Sequence, residues 1–118
     1  MQTDTFKDKV VIVTGGANGI GRCIADEFRK QGAVVYVIDK QEGEHFVGDI
    51  SKQDVLEAFA SDVLSKHDKV DVIVNNALPL MRGIDECSYD EFQYALSVGV
   101  TAPFYLVKLL KNHLAEGA

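Results

Sequence analysis

The chain lacks what marks several large protein classes. It has two cysteines in 118 residues, Cys23 and Cys87, and they form no C-x-x-C pair. That excludes a disulfide scaffold and a zinc ribbon, and both thiols read as reduced and structural. His45, His67 and His113 have no ligand spacing with one another or with the cysteines, so no metal site is expected. There is no basic excess: 12 Lys and Arg stand against 18 Asp and Glu, a net charge of −6. A general binder of nucleic-acid backbones would need a basic face, so no nucleic-acid partner is expected. No apolar run approaches the roughly 20 residues of a membrane span. The start, MQTDTFKDK, lacks the apolar stretch of a signal peptide. These absences read as a soluble, cytoplasmic protein with no membrane partner.

Repeats, low-complexity tracts and Pro/Gly/Ser-rich linkers are also missing, so residues 1–118 read as a single domain. With 47% hydrophobic and 25% charged residues the composition is that of an ordinary globular chain. A chain of this length buries roughly two-thirds of its unfolded surface and needs no covalent staple.

Strand and helix patterns alternate. Val10–Val13 is a continuous β-branched run of the kind buried on both faces of a parallel sheet. Gly19 to about Gln31 reads as a helix with Ile20, Ile24, Ala25 and Phe28 as its apolar stripe, ended by Gly32. Val34–Ile38 is a second buried strand and His45–Asp49 a weaker third. Ser51 reads as an N-cap for a helix reaching about Lys66, with Val55, Leu56, Phe59, Val63 and Leu64 inward. Val70–Val74 is the fourth strand, and Asn75 to about Cys87 is irregular. Ser88 and Glu91 form a capping box opening a helix to about Val98, and a further helix runs from about Thr101 to Leu114. The fold class is therefore α/β, a parallel sheet joined by right-handed crossovers. One connection is too short for a crossover helix, that between Asp39 and His45.

The strongest chemical signal is Thr14-Gly15-Gly16-Ala17-Asn18-Gly19-Ile20-Gly21, placed between a buried strand and a helix N-terminus. Gly15 permits a tight turn, Gly19 lets backbone approach a pyrophosphate, and Gly21 lets the helix pack close to the sheet. Backbone N–H groups and the helix dipole then hold the anion, which is how an acidic chain binds a polyphosphate. No Gly-Lys-Ser/Thr follows, which argues against a P-loop. Asp39, at the end of the second strand, stands near the spacing at which a carboxylate accepts from an adenosine ribose. Its charge repels a 2′-phosphate, so NAD is favoured over NADP as the cofactor. Lys40 next door weakens that preference; its other reading is a solvated loop charge.

The order T-G-x-x-x-G-x-G, Asp39, Asp49-Ile50 and Asn75-Asn76-Ala77 resembles the short-chain dehydrogenase/reductase family of the classical type. The resemblance runs from Lys9 onward. It implies a Rossmann-type sheet with helices on both faces and strand order 3-2-1-4 in the part present. It also implies an oxidoreductase moving hydride between NAD(H) and a small alcohol or carbonyl substrate. By that resemblance Gly15, Asn18, Gly19, Ile20 and Gly21 serve the cofactor with Asp39. Asp49 and Ile50 contact the adenine, with a helix-capping role for Asp49 as the alternative. Asn75 and Ala77 border the cofactor or brace the central sheet.

Three departures stand out. Leu78-Pro79 follows where the family continues with Gly, which puts Leu80 and Met81 toward the substrate side or into ordinary loop packing. Gly99 stands where the family has the Asn of its catalytic tetrad. Pro103, four residues on, has no N–H to give the Gly99 carbonyl, so a backbone role in holding water is expected, the alternative being a kink without consequence. The family's Ser and Y-x-x-x-K pair have no counterpart: Gln93, Val98 and Leu109 stand four after Tyr89, Tyr94 and Tyr105, and the Tyr36/Lys40 pair lies in a strand. The chain therefore reads as the cofactor half, inactive alone for want of a general acid. Apolar residues on more than one face of the 101–114 helix suggest a homo-oligomer through it, or burial by further chain. The alternative function is a non-catalytic NAD-binding or interaction module.

Overall fold

The computed structural model describes residues 5–79 and 81–118. Leu80, one of the residues expected toward the substrate, lies outside the described residues. Four strands form one parallel sheet: β1 (Val10–Thr14), β2 (Val34–Asp39), β3 (Phe46–Val47) and β4 (Val72–Asn75), in the order β3-β2-β1-β4. This is the Rossmann-type order the motifs imply. Central β1 is buried along its whole length because both of its faces are covered. Val11 and Val13 face α1 (Gly19–Lys30) with Ala25 and Phe28. Val10 and Ile12 face the opposite layer, α2 (Gln53–Leu64) and α4 (Ala102–Leu110), packing with Phe59, Val63, Leu106 and Leu110. Each such fully buried aliphatic or aromatic side chain contributes about 1.5–3 kcal/mol.

Several local expectations change. Ile20 is 76% exposed and leaves the apolar stripe of α1, whose buried residues are Gly21 and Ala25. The helix begins at Gly19, and a residue in its first turn overhangs the end of the sheet instead of lying on it. Ser51 does not cap α2. Lys52 holds the cap position, and the Ser51 N–H is drawn to Asp49 Oδ1 at 2.9 Å, a turn that delays the helix by one residue. The third strand shrinks to two residues, which resolves the missing crossover. Phe46 pairs beside Ile38 and Val47 beside Asp39, so the chain re-enters at the level where β2 ends and has almost no sheet to traverse.

The two helices expected over 88–98 and 101–114 are one run. α3 (Tyr89–Leu96) passes through a π-helical stretch, Ser97–Thr101, into α4. There the Ala102 N–H reaches back five residues to the Ser97 carbonyl. Pro103 supplies the cause, since an ordinary helical bond to the Gly99 carbonyl needs an N–H that proline lacks. At its start Ser88 Oγ accepts from the Glu91 N–H at 3.1 Å, as a capping box requires, but the Glu91 carboxylate pairs with Arg82 at 3.4 Å. Beyond α4, a short 3-10 turn (Lys111–His113) replaces the rest of the expected helix. Leu114 then bridges in parallel to Val70: the Val70 N–H donates to the His113 carbonyl, and the Ala115 N–H donates to the Val70 carbonyl. Among the described residues no helix is long and apolar enough to cross a membrane.

Candidate active site: the cavity at the strand ends

The carboxyl ends of β1, β2 and β4 open onto a cavity of about 730 Å³. In an open parallel sheet this is where ligands bind, at the point where strand order reverses around β1. Gly15, Asn18, Gly19, Ile20 and Gly21 line one side, Asp39, Asp49 and Ile50 a second, and Asn76, Ala77 and Leu78 a third.

The glycine turn is held by its neighbours rather than by its own sequence alone. Gly15 takes φ +68°, and its N–H donates to the Ile38 carbonyl at 2.8 Å. A Cβ there would stand 2.8 Å from the Ala77 Cα. Thr14 is buried, and its Oγ1 accepts from the N–H groups of both Asn76 and Ala77 at 3.1 Å. Asn76 Nδ2 donates to the Gly15 carbonyl at 3.0 Å, and a Cβ on Gly21 would collide with both groups. Gly19 differs: it takes φ +57° with nothing within 4 Å of where a Cβ would be. No side chain caps α1; the Asn18 Nδ2 donates to Gln41 Oε1 at 2.8 Å. The N–H-rich start of the helix thus stays turned to the cavity.

Asp39 sits beside the turn. Its Oδ2 accepts from the Ala17 N–H at 3.1 Å and its Oδ1 from the Gln41 N–H at 2.9 Å, so one carboxylate ties β2 to the turn and keeps lone pairs for a ligand. Asp49 accepts from Ser51 and from the Tyr94 hydroxyl, 3.2 Å from Oδ1 and 3.1 Å from Oδ2. Partial burial pushes its carboxyl pKa up. The Ser51 hydrogen bonds, the Tyr94 phenol and the charge of Lys40 outweigh burial and leave it below its ordinary value.

Of the residues singled out in the sequence, Gly15, Asn18, Gly19, Ile20, Gly21, Asp39, Asp49, Ile50 and Ala77 meet at the cavity. Asn75 does not. It ends β4 in register with Thr14, and the neighbouring Asn76 is the one that reaches the site. Gly99 lies exposed in the π-helical stretch. Sequence reading missed Asn76, Gln41 and Tyr94. The Asn-Asn pair signalled the first, whereas nothing local signals Tyr94, which arrives from the middle of α3. Among the described residues no cluster of three or more His, Cys, Asp or Glu could hold a metal ion.

Residues 9–118 match the family model described as short chain dehydrogenase. The chain belongs to the short-chain dehydrogenase family. It is 34% identical to L-fucose dehydrogenase of Mus musculus, an alignment covering 94% of this chain and 46% of that protein. It is 27% identical to a 3beta-hydroxysteroid dehydrogenase of Mediterraneibacter gnavus, covering 85% of this chain and 43% of that one. Among solved structures it is similar to the aldohexose dehydrogenase of Thermoplasma acidophilum, with a TM-score of 0.82 and 27% identity over 94% of this chain and 46% of that one. A 3-ketoacyl-(acyl-carrier-protein) reductase of Brucella melitensis, solved in complex with NADH, superposes with a TM-score of 0.83 at 28% identity, covering 92% of this chain and 51% of that one. The chain spans about half the length of these short-chain dehydrogenases.

Proposed function

We propose that this chain is the cofactor-binding portion of an NAD(H)-dependent oxidoreductase acting on an alcohol or carbonyl substrate. The observation that carries the reading is that the uncapped start of α1 and Asp39 line one cavity, with open space beside Gly19 for a close-lying phosphate group. The backbone of Gly15, Asn18, Gly19, Ile20 and Gly21 would hold the pyrophosphate, and Asp39 would accept from the ribose hydroxyls. Asp49 and Ile50 would meet the adenine, while Asn75 and Ala77 brace the floor through Thr14 and Gly15. When bound, the nicotinamide ring supplies the hydride donor or acceptor. The Asp39 charge beside the ribose disfavours a 2′-phosphate, so NAD is favoured over NADP.

Gly99 stands in a π-helical stretch, and Pro103 has no N–H for its carbonyl, which supports a backbone role in holding water. The chain contains no Y-x-x-x-K on a helix, so it binds the cofactor without turning it over. An exposed row along α3, the π-helical stretch and α4, Leu96, Val100, Phe104 and Val107, supports contact with a second copy.

Calorimetric titration of the protein with NAD+ and with NADP+ tests the reading. Saturable binding with NAD+ the tighter ligand is expected. Failure of both to bind at millimolar concentration would overturn it in favour of an interaction module. A tenfold preference for NADP+ would overturn the role of Asp39 alone.

A further inference from the structure

Lys40 and Tyr94 line the cavity but belong neither to the glycine turn nor to the carboxylates at the strand ends. Lys40 is the first residue after β2, and Tyr94 comes from α3, yet they meet beside Asp49. Lys40 Nζ donates to the Tyr94 hydroxyl oxygen at 3.5 Å and lies 5.5 Å from the centre of its ring. The same hydroxyl donates its hydrogen to the Asp49 carboxylate. A phenol has one hydrogen to give and an oxygen that can accept, so both uses are compatible. Together they make a polarised chain, ammonium to phenol to carboxylate, in which each bond strengthens the next. Tyr94 thus bridges a cation and an anion that the backbone supplies from different loops.

The position of that cation gives the bridge its meaning. Lys40 adjoins Asp39, the carboxylate placed for the ribose, and among the described residues lining the cavity it is the one Lys or Arg. A free ammonium at the end of β2 would offset the Asp39 charge and welcome a 2′-phosphate. We infer that Tyr94 is a cofactor-specificity residue: by binding Lys40 to Asp49 it withholds the ammonium from the ribose edge and sharpens the choice of NAD over NADP. The inference rests on the dinucleotide reading above and adds a second device to it, a withheld cation beside a repelling anion. A cation–π contact at a partly exposed site with one long hydrogen bond corresponds to an effect of about fivefold in affinity.

The test is the ratio of NADP+ to NAD+ dissociation constants, measured calorimetrically for the protein and for Tyr94→Phe, Tyr94→Ala and Tyr94→Ala combined with Lys40→Ala. Any change in how Asp49 meets the adenine affects both dinucleotides alike and cancels in the ratio. Tyr94→Ala is expected to lower the ratio about fivefold by freeing Lys40, and Tyr94→Phe to lower it less because the ring remains. Adding Lys40→Ala to Tyr94→Ala should return the ratio to at least its original value. A ratio that Tyr94→Ala moves by less than about twofold overturns the inference, as does an equal fall with Lys40 removed. Tyr94→Phe keeps the packing of the ring, so the sign of its effect decides the matter should Tyr94→Ala fail to fold. Binding of neither dinucleotide by the unaltered protein would overturn the cofactor reading, and this inference with it. Tighter NADP+ binding by the unaltered protein would overturn only the role of Asp39, the variant ratios still deciding for or against Tyr94.

Discussion

Gly15 and Gly19 share a left-handed backbone but have opposite surroundings, so replacing each with alanine separates two costs. Both variants incur the left-handed penalty for an L-residue, about 1–2 kcal/mol. Gly19→Ala incurs little else, since its methyl group enters open space, and part of the penalty is offset because alanine restricts the unfolded chain. Its net cost should be about 1 kcal/mol. Gly15→Ala also drives a Cβ to 2.8 Å from the Ala77 Cα and 3.1 Å from its nitrogen. Those are backbone atoms that cannot rotate away, and overpacking of this kind adds about 1–3 kcal/mol. Gly15→Ala should therefore be the less stable by about 2 kcal/mol, a large share of a margin of about 5–15 kcal/mol. Urea unfolding followed by far-ultraviolet circular dichroism measures the difference directly. Dinucleotide affinity should show a different pattern. Gly19→Ala places its methyl where a phosphate must approach the backbone and should lose at least about tenfold in NAD+ affinity while staying folded. Equal destabilisation by the two variants would refute the packing argument. Unchanged NAD+ affinity in Gly19→Ala would refute the placement of the phosphate.

Two other outcomes follow from the same region. Thr14→Val keeps the shape of a buried side chain but removes the acceptor for the Ala77 N–H, while the Asn76 N–H keeps the Val74 carbonyl, and should cost about 1–3 kcal/mol by urea unfolding with Thr14→Ser restoring most of it. Asp49 has its carboxyl below the ordinary 3.8, so the folded state holds its proton less readily than the unfolded chain does. Its contribution is complete above that value and is lost as pH falls through the lower folded-state value, and the stability gap between the protein and Asp49→Asn should narrow on acidification below 3.8.

Much of the architecture is written in short-range pattern. β1 is read directly from its run of β-branched residues, because a strand buried on both faces needs no alternation. The glycine turn is legible for the same local reason, since a tight turn and a close backbone approach each demand glycine at a fixed offset. Ile20 misleads because its spacing fits the apolar stripe of α1, while its exposure is set by where the sheet ends. Tyr94 is invisible for a related reason: its partners Lys40 and Asp49 come from loops far away in the chain. The continuity of α3 and α4 was obscured by Pro103, which reads as a break yet is accommodated by one wider turn.

The two hydrogen bonds on Thr14 span 62 and 63 positions of chain. The glycine turn is therefore not a prefabricated loop. It is held by β2 through Ile38 and Asp39 and by β4 through Thr14, so its shape is complete only once the segment carrying α1, β2, β3 and α2 has closed back onto β1. Loop-closure entropy for that step has to be met by the whole sheet, since no local contact rewards it earlier. Affinity for a dinucleotide would then gauge long-range assembly as much as local chemistry, and a bound ligand would favour docking of β4 by mass action.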